Sequence, residues 1–394
     1  MPITGIETLR NRVAIVGVGE SDIGKVPHMT GLGLNAQAAK RALDETGLKV
    51  SDIDGLLTAY SFTEPYFMLG TVLCEYLGLQ PRFNASVIVG GASPAVMLKH
   101  AAEAIATGQC ATVLVCAGEN RATGQTRDQA VAALAAVGHP YFERPYGASI
   151  PGCYAMIARC HMDQFGTTPE QLAAVAVTTR RHAVLHPNAH MRKPITSADV
   201  QSSKPIADPL RMLDCCIISD AGGAFIVTSA ERAKDLRSKP AYLAGIGEFH
   251  THEHILCAPS LTEFGAKQSG MTAYRMAGLG PSDIDVAELY DCFTIVPILE
   301  LEELGFCPRG EGGRFYEEGH ASIGGKLPVN THGGMLSHAH AGAAGGLFGI
   351  VEAVRQLRGG LGPRQVQGAE VALVHNEGGI LSSHCTAILT SQLR

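Results

Sequence analysis

Tryptophan is absent from the 394 residues, and charged side chains make up only 17% of them against 46% apolar. That balance excludes a disordered chain and leaves enough apolar surface for a large buried core. No tract of clustered lysine and arginine occurs and the net charge is −6, so nucleic acid and anionic membranes find no electrostatic footprint. No apolar run is long enough to span a bilayer, and the first ten residues lack the apolar stretch of a signal peptide. The eleven cysteines show no zinc-ligand spacing, and only Cys215 and Cys216 are adjacent. Reduced thiols in a cytoplasmic setting are the expectation.

Glycine, by contrast, is abundant, with 46 residues. The organising stretch runs from Asn330 to Gly346, N-T-H-G-G-M-L-S-H-A-H-A-G-A-A-G-G. Two glycines follow an extended segment, His340 comes shortly after, and small residues lead into an apolar helix predicted over 347–357. Small residues admit a ligand or a second backbone, and a helix N-terminus offers free N–H groups to an oxyanion. Alone, such a loop reads as a turn whose histidine satisfies a backbone group. Glu288-Leu-Tyr-Asp-Cys-Phe293 and His375-Asn-Glu-Gly-Gly379, each closing an apolar run, raise it above that.

Strands and helices alternate along the chain. A buried strand over 12–19 enters a glycine turn, but Asp22 stands at the third position of a dinucleotide fingerprint, so no Rossmann site is expected. An Ala-rich helix (34–46), a strand reaching residue 57, a helix over 66–77 and a strand over 85–89 follow. The turn Gly90-Gly-Ala-Ser-Pro94 then starts a helix reaching residue 107, with proline well placed near its start. Residues 119–200 hold much of the polar and aromatic content, an excursion suited to substrate specificity. The second half repeats the first. Leu48-Lys-Val-Ser-Asp-Ile-Asp54 recurs as Leu279-Gly-Pro-Ser-Asp-Ile-Asp285, Gly90-Gly91 plus helix as Gly333-Gly334 plus helix, and Val113–Glu119 as Leu373–Gly379. Duplicated α/β lobes, 1–238 and 239–394, are expected, with their glycine turns converging at the junction.

In this order the motifs resemble the thiolase superfamily over nearly the whole chain. Asn330-x-x-Gly-Gly with Ala339-His-Ala resembles the N-x-x-G-G…G-H-P segment. Asn376-Glu-Gly-Gly379 stands where thiolases carry C-x-G-G, and Tyr290-Asp-Cys-Phe293 where they carry N-E-A-F or H-D-C-F. The last form, with Tyr146-Gly-Ala and Ala158-Arg-Cys-His-Met162, is similar to the sterol-carrier-protein-type, lipid-metabolising branch. The resemblance implies a five-layered α-β-α-β-α thiolase fold and a homodimer. It also exposes two departures. The nucleophilic cysteine position falls on Gly91, with no cysteine between Cys74 and Cys110, and the second cysteine position is Asn376. Without a thiolate there, acyl-enzyme formation loses its nucleophile. Ser93 lies close by, but reads as a helix cap. The same loss marks the thiolase-like aldolases of steroid and bile-acid side-chain degradation. They carry tyrosine where Tyr290 stands and work with a small companion protein of OB-fold and zinc-ribbon type.

A retro-aldol cleavage needs a base for the β-hydroxyl and a stabiliser for the thioester enolate, but no covalent intermediate. Tyr290 is the expected base or proton relay, against its bland reading as a strand-end aromatic in the core. His340 is the expected donor to the thioester oxyanion, and Asp291 would orient neighbours or hold the loop. Gly91, Ser93, His338, Asn376, Gly378 and Gly379 are expected around the substrate, a coenzyme A thioester, with no cofactor. His332 reads as a flanking polar residue and His375 as locally hydrogen-bonded. His250-Thr-His-Glu-His254 places alternate histidines on one face of a strand, but no acidic or cysteine partner accompanies them, so no metal is expected. Two other readings stay open: a cofactor-free acyltransferase with a relocated nucleophile, and a non-catalytic acyl-CoA or lipid carrier.

Overall fold

The computed structural model describes residues 5–147 and 149–394, so Ala148 of the Tyr146-Gly-Ala motif lies outside the described residues. β1 (Val13–Glu20) is buried along its whole length, as a strand covered on both faces must be. α1 (Gly31–Thr46) starts at Thr30, whose side chain accepts from the Gly33 N–H, and stops at Gly47 with φ 79°. The glycines of β1 serve this packing. A Cβ on Gly17 would lie 2.5 Å from the Ala42 carbonyl oxygen, and one on Gly19 2.2 Å from that of Ala38.

The first half continues through β2 (Gly55–Thr58), α2 (Leu69–Leu77), β3 (Phe83–Ser86), α3 (Ser93–Ala106) and β4 (Thr112–Asn120). The excursion follows, with α4 (Arg127–Ala135), α5 (Ile150–Phe165) and α6 (Pro169–Leu185), before β5 (Asp220–Ser229). The second half runs β6 (Ala241–His250), α7 (Ala266–Ala277), β7 (Val286–Glu288), α8 (Ile295–Glu303), α9 (Leu347–Arg358), β8 (Val371–Gly378) and β9 (Ser383–Thr390).

The nine strands join in the order β3-β2-β4-β5-β1-β6-β9-β8-β7. β2 is parallel to β3 and β4, whereas β5 is antiparallel to β4 and β1. The second half copies that pattern. β7 is parallel to β8 and, through an Ala287–Val329 bridge, to one further segment, whereas β9 is antiparallel to β8 and β6. The half-sheets meet where Ala14 pairs with Tyr242 and Ile15 with Ala241.

The repeated Ser-Asp-Ile-Asp has a shared job. Asp54 accepts from the Ala111 and Thr112 N–H groups where β4 begins, and Asp285 from Glu370 and Val371 where β8 begins. α3 and α9 each touch strands of both half-sheets, while α1 and α2 cover one outer face and α7 the other. This is the five-layered α-β-α-β-α arrangement. Among the described residues no helix is long and apolar enough to cross a membrane.

Two local expectations shift. β3 ends at Ser86 rather than near Val89. Val87 still donates to Thr58, but the Val89 N–H is taken by the Ser93 hydroxyl, so the chain leaves the sheet. Gly333-Gly334 also does not lead directly into its helix. A wide turn over Gly334–His338 and a single 3-10 turn over Gly342–Ala344 come before α9.

Candidate active site

The glycine turns of the two halves meet backbone to backbone. Gly90 has φ 60°, and a Cβ there would sit 2.5 Å from the Gly379 nitrogen, while one on Gly378 would sit 2.0 Å from the Val89 carbonyl oxygen. Gly91 is the informative neighbour. A Cβ built on it would lie 2.0 Å from the Tyr290 hydroxyl and 2.6 Å from the Glu377 carbonyl oxygen. The phenol of Tyr290 thus fills the space that a side chain at position 91 would use.

Tyr290 is set by its backbone, whose N–H donates to Glu300 Oε2 at 2.9 Å. Burial first, then the neighbouring Cys292 and Glu377, push its hydroxyl well above the usual phenol range, so it rests as a neutral donor. Ser93 is fully committed: its hydroxyl donates to the Gly90 carbonyl at 2.7 Å and accepts from Val89 at 3.1 Å. It is the first residue of α3, with Ala92 as the N-cap.

From the Gly91 turn the contacts continue through Glu377 to Asn376, whose amide packs against Gly346 and donates to its carbonyl at 3.2 Å. The Asn376 Oδ1 is buried without a partner, an acceptor left over at the second cysteine position. Next to Gly346, Gly345 makes room for the His340 ring, whose Cδ2 lies 2.7 Å from where a Cβ would be. The His340 backbone is tied to Ser219 in both directions, at 3.0 and 3.4 Å. Burial, with the Arg121 cation, lowers the imidazole to about 3. His340 is therefore neutral at physiological pH, able to donate an N–H without carrying charge.

Asp291 holds the loop. It accepts from Met335 at 2.6 Å and Leu336 at 3.4 Å, and a Cβ on Gly334 would strike its Oδ2 at 2.0 Å. His332 bonds Glu288 at 2.8 Å, and His375 bonds Thr386 at 2.8 Å and His384 at 3.1 Å. His338 is not brought to Tyr290; it is fully buried and faces Glu20, His186 and His332. The three histidines of His250–His254 part company: His250 meets Glu248 and Ser383, His252 meets Thr251 and Ile380, and His254 faces Glu143.

Reasoning from motifs passed over Glu377, Tyr154 and Arg121. Glu377 Oε1 accepts from the Tyr154 hydroxyl at 2.6 Å and from the Cys292 thiol at 3.3 Å, with Leu381 N–H on its other oxygen at 3.1 Å. A carboxylate at the end of an otherwise buried strand was the available signal. Burial pushes Glu377 up to about 7 and Asp291 up to about 6. An acid whose folded value is raised binds more protons folded than unfolded, so its stabilising effect is lost as pH rises. Stability to urea should fall between about pH 4.5 and 7 for Glu377 and between about pH 3.8 and 6 for Asp291, by up to ~1.4 kcal/mol per pH unit for each group. Glu377→Gln should flatten that slope; an unchanged slope in parallel titrations would disprove the assignment.

These features define a thiolase fold in which a tyrosine hydroxyl fills the space beside Gly91. The family model for a thiolase C-terminal domain-like region matches residues 247–391. The chain is 36% identical to the 17-hydroxy-3-oxo-4-pregnene-20-carboxyl-CoA lyase of Mycobacterium tuberculosis, covering 95% of this chain and 98% of that one. It is 34% identical to an acetyl-CoA acetyltransferase of Methanothermobacter thermautotrophicus, covering 93% and 96%. Among solved structures it superposes on an Ltp2-ChsH2(DUF35) aldolase with a TM-score of 0.85, at 35% identity over 97% of this chain and 98% of that one. The chain belongs to the thiolase superfamily, in its sterol-carrier-protein-type, thiolase-like branch.

Proposed function

We propose that the protein cleaves the β-hydroxyacyl-CoA side chain of a steroid or similarly bulky lipid by a retro-aldol reaction. A ketone or aldehyde and a short acyl-CoA are released. The observation that carries this is the Gly91–Tyr290 contact, because a phenol fills the place of the thiolase nucleophile. The likeness to a steroid-CoA lyase and to an aldolase supports the same reading. As the carbon–carbon bond breaks, its electrons pass into the thioester enolate and the β-hydroxyl proton moves onto the Tyr290 oxygen. The phenol gives its own proton on, to end on the enolate carbon, so Tyr290 is neutral again. The neutral His340 N–H stabilises that oxyanion, and protonation of the enolate carbon completes the products. No cofactor enters this scheme.

The 34% identity to an acetyltransferase raises acyl transfer as the second reading. Cys292 is the thiol at hand, and burial, then Glu377, push it well above the usual thiol range, so it rests as a poor nucleophile. Mass spectrometry of products and of acid-quenched protein separates the readings. Short acyl-CoA with no acylated residue is expected. A stoichiometric acyl-enzyme would establish a transferase, and tight binding without turnover a carrier.

We further propose a homodimer, a small DUF35-type companion of OB-fold and zinc-ribbon character, and a cytoplasmic location. Phe67, Met68, Tyr66, Tyr76 and Ile88 are exposed around edge strand β3, an apolar border suited to a second copy. The aldolase it superposes on pairs Ltp2 with ChsH2(DUF35), and the cysteines here are free. A monodisperse, fully active monomer in light scattering would refute the assembly.

A further inference from the structure

Behind the loop that carries His340 lies a cluster the proposed reaction does not use. Glu20 ends β1, His186 caps the C-terminal end of α6, and His338 stands two residues before His340. All three are buried, at 3%, 1% and 0% exposure. Each presents one oxygen or nitrogen, and these atoms lie within 4.8 Å of one another. Three ring nitrogens here have no hydrogen-bond partner: His186 Nε2 and both nitrogens of His338. Unpartnered buried polar atoms are costly, so a cluster of them signals a missing occupant.

The one spacing between Glu20 and His338 suits a small cation. Glu20 Oε1 lies 3.4 Å from His338 Nε2, too long for a good hydrogen bond. It matches the ~3.3–3.4 Å edge of a tetrahedron with ligand distances of ~2.0–2.1 Å. Arg355 stands 2.9 Å from the other oxygen, Oε2. Against the cost of burial, it holds the carboxyl well below its usual range. His332 is engaged by Glu288 and adds no further ligand. His186 Nδ1 accepts the Asn188 N–H at 3.1 Å, so ligation through Nε2 moves the proton to Nδ1 and gives up that contact. A cavity of about 530 Å³, lined by Glu20, Ser21, Asn188 and Arg192 among others, adjoins the cluster at Glu20.

We propose that Glu20, His186 and His338 bind a divalent transition-metal ion of the zinc class that clamps the His340 loop to β1 and α6. Two imidazoles and one carboxylate form a donor set of that class. The ion acts as a positioning element, not as a participant in bond cleavage. Residues 20, 186 and 338 are far apart in sequence, which is why spacing alone directs attention to His250–His254 instead.

The test uses the full chain, chelator-stripped and with its accessible thiols alkylated so that cysteine does not compete. Co²⁺ titration followed by visible absorption should show one ion per chain, without a sulfur-to-cobalt charge-transfer band, and Zn²⁺ should displace it. Glu20→Gln and His338→Ala should weaken binding by more than the ~10–100-fold that loss of an outer-sphere partner costs. His252→Ala should not. Zn²⁺ should also raise the thermal midpoint of the wild type, and anomalous scattering from a Zn²⁺-soaked crystal checks the position without any variant. Absence of stoichiometric binding by the wild type, binding unaltered in Glu20→Gln, or an anomalous peak elsewhere would overturn the proposal.

Discussion

Tyr290→Phe should lower the single-turnover rate of cleavage of a steroid side-chain β-hydroxyacyl-CoA by about 10²–10⁴-fold, the usual cost of removing a general acid–base group. The substituted ring keeps the packing, so only the hydroxyl is lost. Substrate affinity should change little, because the phenol acts on charge that develops during bond cleavage. Its raised proton affinity sharpens the expectation. A neutral phenol donates readily but is a poor base alone, so the substrate oxyanion and Tyr290 must share the proton as the bond breaks. His340→Ala removes the oxyanion donor and should cost about 10²–10³-fold. Cys292→Ala, by contrast, should stay within a few-fold of wild type, since its thiol only hydrogen-bonds the Glu377 carboxylate. A dead Cys292→Ala beside an active Tyr290→Phe would restore cysteine-based acyl transfer.

What could be read from the sequence was what repeats or what keeps order. Ser-Asp-Ile-Asp occurs twice because two strands, β4 and β8, each need their first N–H groups accepted by an aspartate. The glycine turns at 90–91 and 378–379 stand out because only glycine lets two backbones touch. Contacts between residues far apart in sequence left no such trace. Tyr154 reaches Glu377 from an excursion helix more than two hundred residues away. His338 and His340 look like neighbours in one motif, yet His338 closes the Gly334–His338 turn and His340 lies beyond it, so their rings part. One ring meets Glu20 and the other lies against Gly345. A motif records which residues are present, whereas the side a residue faces depends on the local turn.

The complementarity of Gly91 and Tyr290 yields the most discriminating experiment. Gly91→Ala adds a single methyl group, but its carbon would lie 2.0 Å from the Tyr290 hydroxyl and 2.2 Å from Cζ. Something must move, and the Glu377 carbonyl 2.6 Å away blocks another direction. Overpacking of this kind costs typically about 1–3 kcal/mol, and the displaced phenol should lose catalysis on the scale of Tyr290→Phe. The two effects should not add. If Gly91→Ala acts by moving the hydroxyl, the Gly91→Ala/Tyr290→Phe enzyme should be little slower than either single variant. The stability penalty of Gly91→Ala should likewise shrink in a Tyr290→Ala background, leaving only the part due to the Glu377 carbonyl. Gly91→Cys should not recreate a thiolase, because the same ring stands where the thiol must go. A Gly91→Ala enzyme with wild-type turnover, or a double variant whose losses multiply, would show that position 91 and Tyr290 act separately, and the proposed replacement of thiol by phenol would fail.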